Sequence, residues 1–510
     1  MSALGTMFLI YYILRASIDV VSSDYMRIIN FYLEDVSDLH FLLSWEGIAR
    51  IPFAFLMRFV NVKLFSYSVY FDKILGTFGL FLFNTAVLSF VLDHLRTKAM
   101  RVLASILISY ISFSLMAWEM ILNGTGYAHF ITIGLTALTF KIFANATSAN
   151  ADQTANAKLK YNLLICTLVI ATSLLFAGSY CVSYLCTIIF FSALFVIIKS
   201  RRGEKCYREM LYIAISVLCL LLYFKSSNTG EALIPVGFKD ITLLQLLKTE
   251  PLFPIKFILK SLASSIIGVE TLDYALNFGT INEKFIFLIG TLYLIIIIFV
   301  IVLLIIKIAN WARIARPYEE GARIARPYDG SQSSSKEPYA RAQRAQDGAC
   351  PYRTRELSER TALLIFIGMF IVSGLANYAL IFLARYKFVV DSYGMTSRYS
   401  LQYMFLTIGI VMLLIKLIDE SMLNKRIFLI TVSILSLSFI TLGHLTTNTD
   451  EIFKSDYRKI IYGIVEEKAK NYKNLSDQEL EDTFEYHRGP EQIRHAFEIL
   501  ERQKLNIFKN

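Results

Sequence analysis

From Phe285 the chain reads FIFLIGTLYLIIIIFVIVLLII, twenty-two residues without a charge. A helix of about 20 apolar residues crosses a bilayer. In lipid, only a helix or a closed barrel satisfies its own backbone. Barrel strands would appear as roughly 10-residue segments of alternating hydrophobicity, and this run does not alternate. Similar runs lie near residues 3–21, 72–92, 100–120, 127–145, 160–177, 180–198, 209–224, 361–383, 401–418 and 427–443. With the run at 285–309 they make about eleven helical spans. The expected class is therefore all-α, a polytopic helical membrane protein. Charged residues are 18% of the chain, against about 25% in soluble domains.

Lysine and arginine set the orientation. With a cytoplasmic N-terminus, the gaps on the inner side carry Arg96, Lys98 and Arg101, then Lys158 and Lys160, then Lys199 to Arg208. A basic block at 310–360 and Lys425 with Arg426 complete the set. The opposite gaps near 121–126 and 178–180 carry none. The alternation obeys the positive-inside rule. It places segments 22–71, 225–284, 384–400 and the tail 444–510 on the outer, periplasmic side of a plasma membrane. The excess of basic residues thus reads as topology, with no nucleic-acid partner, although the net charge is +10. The first run lacks a basic leader and a small-residue cleavage site, so it reads as an uncleaved helix.

The spans divide into 1–309 and 361–443, separated by 310–360. There ARIARPY occurs twice, at Ala312–Tyr318 and Ala322–Tyr328, before an Arg-, Pro- and Ser-rich stretch. Such low-complexity sequence lacks a core-forming pattern. The stretch LFPIKFILKSLASSIIGV from Leu252 is apolar but holds Lys256 and Lys260, which suits an interfacial or re-entrant helix. In the tail, Ser476 and Glu479 form a capping box, and Gly489-Pro490 opens another helix. Ile493, Phe497, Leu500 and Leu505 follow helical spacing. A small helical cap on the outer face is expected. The six cysteines form no CxxC pair and the six histidines no zinc spacing.

Three places bring chemistry to the outer surface. The first loop holds Asp24, Asp35, Glu46 and Arg50 within an amphipathic stretch. Glu119 follows Trp118 inside an apolar run, where a carboxylate needs a cavity or a partner. Arg385, Arg398 and Tyr399 flank a short late loop. Carboxylates on one loop and arginines on another suit sugar transfer from a polyprenyl phosphate. A carboxylate takes the acceptor's proton, with Asp24 first in order, then Asp35, then Glu46. Fixed cations hold the leaving phosphate. No Gly-rich phosphate loop and no DxD motif appears. No cofactor is assigned, and a divalent metal is left open.

At these residues the chain resembles the GT-C superfamily of polyprenyl-phosphate-sugar-dependent glycosyltransferases. The resemblance rests on acidic residues in the first outer loop, Asp24 and Asp35, and on WEGIARIPFAFLMRFVNVKLF, where Arg50 matches a cationic position. Glu46 is offset from the matching acidic position, and the histidine of that cluster is absent. Trp118-Glu119, Ser397-Arg398-Tyr399, Arg385 and the Leu-rich FEILERQKLNIF add to it. It implies a GT-C-like fold, glycosyl transfer, a polyprenyl-phosphate-sugar donor and a cell-envelope acceptor. Two other classes compete: an O-antigen polymerase or ligase, and a transporter or flippase. The acidic loop comes first rather than late, and no internal repeat appears, which disfavours both.

Overall fold

The computed structural model describes residues 1–34, 36, 52–148, 155–176, 181–201, 203–227, 239–314, 351–423, 426–486 and 489–509. Nothing among them is a strand. The helices run in order α1 (Ser2–Ala16), α2 (Asp24–Tyr32), α3 (Pro52–Phe65), α4 (Val69–His94), α5 (Lys98–Ser112) and α6 (Trp118–Leu122). Next come α7 (Tyr127–Ser148), α8 (Ala155–Ile170), α9 (Cys181–Arg201), α10 (Tyr207–Ser227), α11 (Leu243–Thr249), α12 (Phe253–Ser264) and α13 (Val269–Asn277). The last are α14 (Glu283–Ile314), α15 (Pro351–Arg385), α16 (Ser400–Leu423), α17 (Ile427–Lys470), α18 (Asp477–Phe484) and α19 (Pro490–Gln503).

Among the described residues, nine helical stretches are long and apolar enough to cross a membrane. They coincide with nine of the spans expected from sequence. The remaining two, Ser2–Ala16 and Leu159–Leu175, are shorter apolar helices. Fifteen residues in α1 rise about 22 Å at 1.5 Å each, less than the roughly 30 Å hydrocarbon core. The protein is thus an all-α, multi-pass membrane protein. The insertion that carries the ARIARPY repeats lies outside the described residues, apart from the helical ends that flank it.

The bundle is built around α16, which is buried from Leu401 to Asp419 without interruption. Phe83, Phe140, Phe370 and Phe405 gather there with ring centroids 5.3–6.4 Å apart. Helices α4 and α7 cross closely because both present glycine. A Cβ on Gly79 would lie 2.3 Å from the Phe130 carbonyl carbon, and one on Gly134 would lie 2.7 Å from the Gly79 oxygen. Small residues allow such approach where lipid offers no hydrophobic drive between helices. By contrast α10 and α14 leave most of their apolar surface exposed, as lipid-facing helices do.

The chain alternates between two ends of the bundle. The C-terminal ends of α4, α7, α9, α14 and α16 share one end, where Asp419 accepts from the Arg96 and Thr97 amides at 2.9 and 3.1 Å. Helices α2, α6, α12, α13 and the tail share the other, here termed the site end. The stretch from Leu252 forms α12, only 12 residues long, with Lys260 buried and paired to Asp391 and Glu283 at 2.6 Å each.

Helix α17 continues for 44 residues without a break. Sequence reading ended the last span at 443 and began a separate tail at 444, because hydropathy falls there. That boundary lies inside one helix. Its C-terminal end leads into α18 and α19, which fold back onto α2. Val20, Tyr25, Met26, Ile29 and Leu33 share one apolar cluster with Leu480, Phe484, Ile493, Phe497 and Leu500. The Ser23 amide donates to the Phe484 carbonyl at 2.7 Å.

Candidate active site

The site end gathers side chains from chain segments far apart in sequence. Residues 115–126 are a sequence of short turns in which Trp118 and Glu119 open α6. Glu119 Oε2 accepts from Ser397 Oγ at 2.9 Å, and Oε1 from Arg398 Nη2 at 2.5 Å. The pair is half-exposed, and such pairs contribute only about 0.2–1 kcal/mol. Its effect is to aim Arg398. Asp24, exposed at the first position of α2, lies near both Arg398 and His129.

Arg385 ends α15 beside Tyr399. Its guanidinium stands 5.8, 5.6 and 5.7 Å from the ring centroids of Phe388, Tyr393 and Tyr399. No carboxylate pairs with it among the described residues. The next turn holds Val389 at φ 53, a strained conformation for a β-branched residue. That turn stacks Phe388 on Tyr393 at 4.3 Å and so builds the aromatic cage. The Tyr399 hydroxyl is buried beside Arg385.

Below α2, Tyr25 donates to Asp72 at 2.8 Å, and Asn61 donates to the other Asp72 oxygen at 3.2 Å. Burial, reinforced by the Asp72 carboxylate, pushes the Tyr25 phenol well above its ordinary range. The Tyr25–Asp72 bond pins the start of α2, where Asp24 sits.

Beside Glu119 opens a cavity of about 310 Å³. Its walls are Ser22, Ser23 and Tyr25 from the first loop, Trp118, Glu119 and Asn123, then Tyr457, Arg458 and Tyr462 of α17, and Asp482, Thr483 and Glu485 from the tail. Arg458 lies flat on Trp118, 3.3 Å from the ring centroid. It donates to both Glu451 oxygens at 2.9 and 2.8 Å, with Glu270 at 3.5 Å and Tyr12 also bonded to Glu451.

Of the residues singled out in the sequence, the structure brings together Asp24, Glu119, Arg385, Arg398 and Tyr399. Asp35, Glu46 and Arg50 lie outside the described residues. Sequence reading missed Arg458, Glu451, Tyr462 and Glu485. In a tail, charges are ordinary, and only the fold lays Arg458 on Trp118. Among the described residues no group of three His, Cys, Asp or Glu side chains is placed to hold a metal ion.

No family model matches the chain, and no curated protein matches it. Two solved structures are similar to it. One is the archaeal oligosaccharyltransferase AglB from Archaeoglobus fulgidus, in complex with an inhibitory peptide and a dolichol-phosphate. It is 10% identical, with 95% of this chain and 59% of that one covered and a TM-score of 0.41. This chain therefore spans less than two thirds of that protein's length. The other is ArnT from Cupriavidus metallidurans in the apo state, also 10% identical, with 99% and 89% covered and a TM-score of 0.35.

Proposed function

We propose that the protein is a membrane glycosyltransferase of the GT-C type, moving a sugar from a polyprenyl-phosphate donor to a cell-envelope acceptor on the outer face of the plasma membrane. The observation that carries this reading is Arg385. A guanidinium caged by three rings, with no carboxylate partner among the described residues, is a cation kept for an incoming anion. Arg398 also lies near Tyr399 and is aimed by Glu119.

In this reading the acceptor hydroxyl gives its proton to the Asp24 carboxylate as its oxygen bonds to the anomeric carbon. The bond from that carbon to the phosphate oxygen breaks, and polyprenyl phosphate leaves with one more negative charge. Arg385 and Arg398 stabilise that charge where it develops. Tyr25, bonded to Asp72, fixes the helix start that presents Asp24. Asp35 and Glu46 remain the next candidates for the base, and Arg50 for a further phosphate contact.

The test is transfer by the purified chain from a synthetic polyprenyl-phosphate sugar. Asp24→Asn should lower turnover by about 10²–10⁴-fold, the usual contribution of a general base, while donor binding persists. Wild-type turnover in Asp24→Asn would pass the role to Asp35 or Glu46. Donor binding unchanged in both Arg385→Gln and Arg398→Gln would overturn the phosphate site and the reading with it.

A further inference from the structure

The cavity beside Glu119 has a chemistry of its own. Among the described residues, three carboxylates line it, Glu119, Asp482 and Glu485, against one cation, Arg458. That cation is already neutralised by Glu451, which it holds with two bonds, and is stacked on Trp118. The nearest ammonium groups do not line the cavity. Lys73 stands 5.1 Å from the Tyr462 ring, and Lys468 donates to Thr483 at 3.2 Å. Glu119 is shared with Arg398, and Asp482 accepts from Gln478. Glu485 forms no ion pair among the described residues, although its charge is felt by Tyr462.

The rest of the wall is aromatic and hydroxylic. Trp118, Tyr25, Tyr457 and Tyr462 supply ring faces, and Ser22, Ser23, Thr483 and Asn123 supply short polar groups. Tyr462 lines the cavity, with the Lys73 ammonium 5.1 Å from its ring. The backbone is strained at two wall residues from opposite ends of the chain: Ser23 has φ 53 and Glu485 φ 51. They flank the Ser23-to-Phe484 hydrogen bond of 2.7 Å, which locks both in place. Strained non-glycine residues persist only where the surroundings over-determine them, and they concentrate at binding sites.

We infer that this cavity binds a hydroxyl-rich small molecule bearing a protonated amine, an amino sugar in chemical class. The ammonium would pair with Glu485 and face the rings, where cation–π attraction adds to the ion pair. The hydroxyls would meet Ser22, Asn123, Thr483 and Tyr462. An anion would meet like charge on three sides. The volume sits at the low end for small-molecule sites and leaves no room for a polyprenyl chain. That the bound molecule is the acceptor rests on the transfer reading above, because Glu119 joins this cavity to Arg398; the binding itself does not.

The experiment is ligand-observed NMR on the full chain in lipid nanodiscs, at a pH where the amine is protonated. The probes are D-glucosamine, D-glucose and D-glucuronate. Glucosamine is expected to bind at least about tenfold tighter than glucose, a difference of about 1.4 kcal/mol, and glucuronate not at all. Glu485→Gln should erase the preference for glucosamine over glucose. Tyr462→Phe should weaken both sugars and leave their order intact. Equal binding of the three probes, a preference for glucuronate, no binding, or a preference that survives Glu485→Gln would overturn the inference. Arg385→Gln should leave glucosamine binding unchanged. If glucosamine binds as expected while donor binding ignores Arg385 and Arg398, the cavity stands and the transfer reading falls. If donor transfer holds and glucosamine does not bind, the reverse is true.

Discussion

Gly124 has no space for a side chain. A Cβ there would lie 1.9 Å from the Tyr25 hydroxyl oxygen, which is itself held by Asp72. Gly124→Ala should therefore break the Tyr25–Asp72 bond and destabilise the protein by about 1–3 kcal/mol, the usual cost of overpacking. Thermal unfolding in detergent would register it, and an unchanged midpoint would show that the loop yields freely. Arg458 makes a second case. Glu451 is fully buried beside it, and removing one partner of a buried pair costs about 3–5 kcal/mol. Arg458→Leu should thus fail through folding and not through turnover per folded molecule, a distinction that quantified yield and specific activity would draw. Single residues were legible where they broke a pattern. Glu119 stood out because a charge inside an apolar run demands a partner. Arg458 and Glu485 stood among many tail charges, and no local signal tells which of them meets a cavity.

At the level of elements, local signals held and continuity did not. The capping box at Ser476 and Glu479 is formed in both directions, and Pro490 opens α19. These motifs act within one turn, so the sequence carries them whole. The uninterrupted α17 was hidden because hydropathy records the solvent of a segment and not its backbone. Its polar half is as competent to be helical as its apolar half. The capping box gives a prediction with a sign. The Ser476 backbone amide and hydroxyl hold the Glu479 carboxyl below its ordinary range. A lowered folded value means the contribution is complete above the ordinary glutamate value of about 4.3 and is lost as pH falls through the folded one. Hydrogen exchange in α18, taken relative to the intrinsic rate at each pH, should accordingly rise on acidification below that value. Ser476→Ala should raise it already at neutral pH, with a cost of about 1 kcal/mol. Exchange in α18 that ignores both changes would mean its docking on α2 does not depend on the cap.

For the whole molecule, alternation of the helices puts the turn after α9 and the tail at opposite ends of the bundle. Reporter fusions after Gly203 and after Lys509 should therefore report opposite compartments, the first cytoplasmic by the basic-residue pattern. Matching compartments would refute the span count. Removal of 315–350 behind a short linker should leave insertion and activity intact, since no core-forming pattern lies there; a correctly inserted but inactive deletion would show otherwise. The membrane-spanning layout was legible because a bilayer admits so few backbone solutions. The cavity was not, because its walls come from residues 20–25, 69, 118–123, 457–465 and 482–485. The hydrogen bond from Ser23 to Phe484 turns that separation into an order of events during synthesis. The first loop emerges early and then waits, half a pocket without its other wall, while every later span is threaded. Only when residues 457–485 arrive can it close, so a chain cut before them would carry the first loop with no second wall to meet.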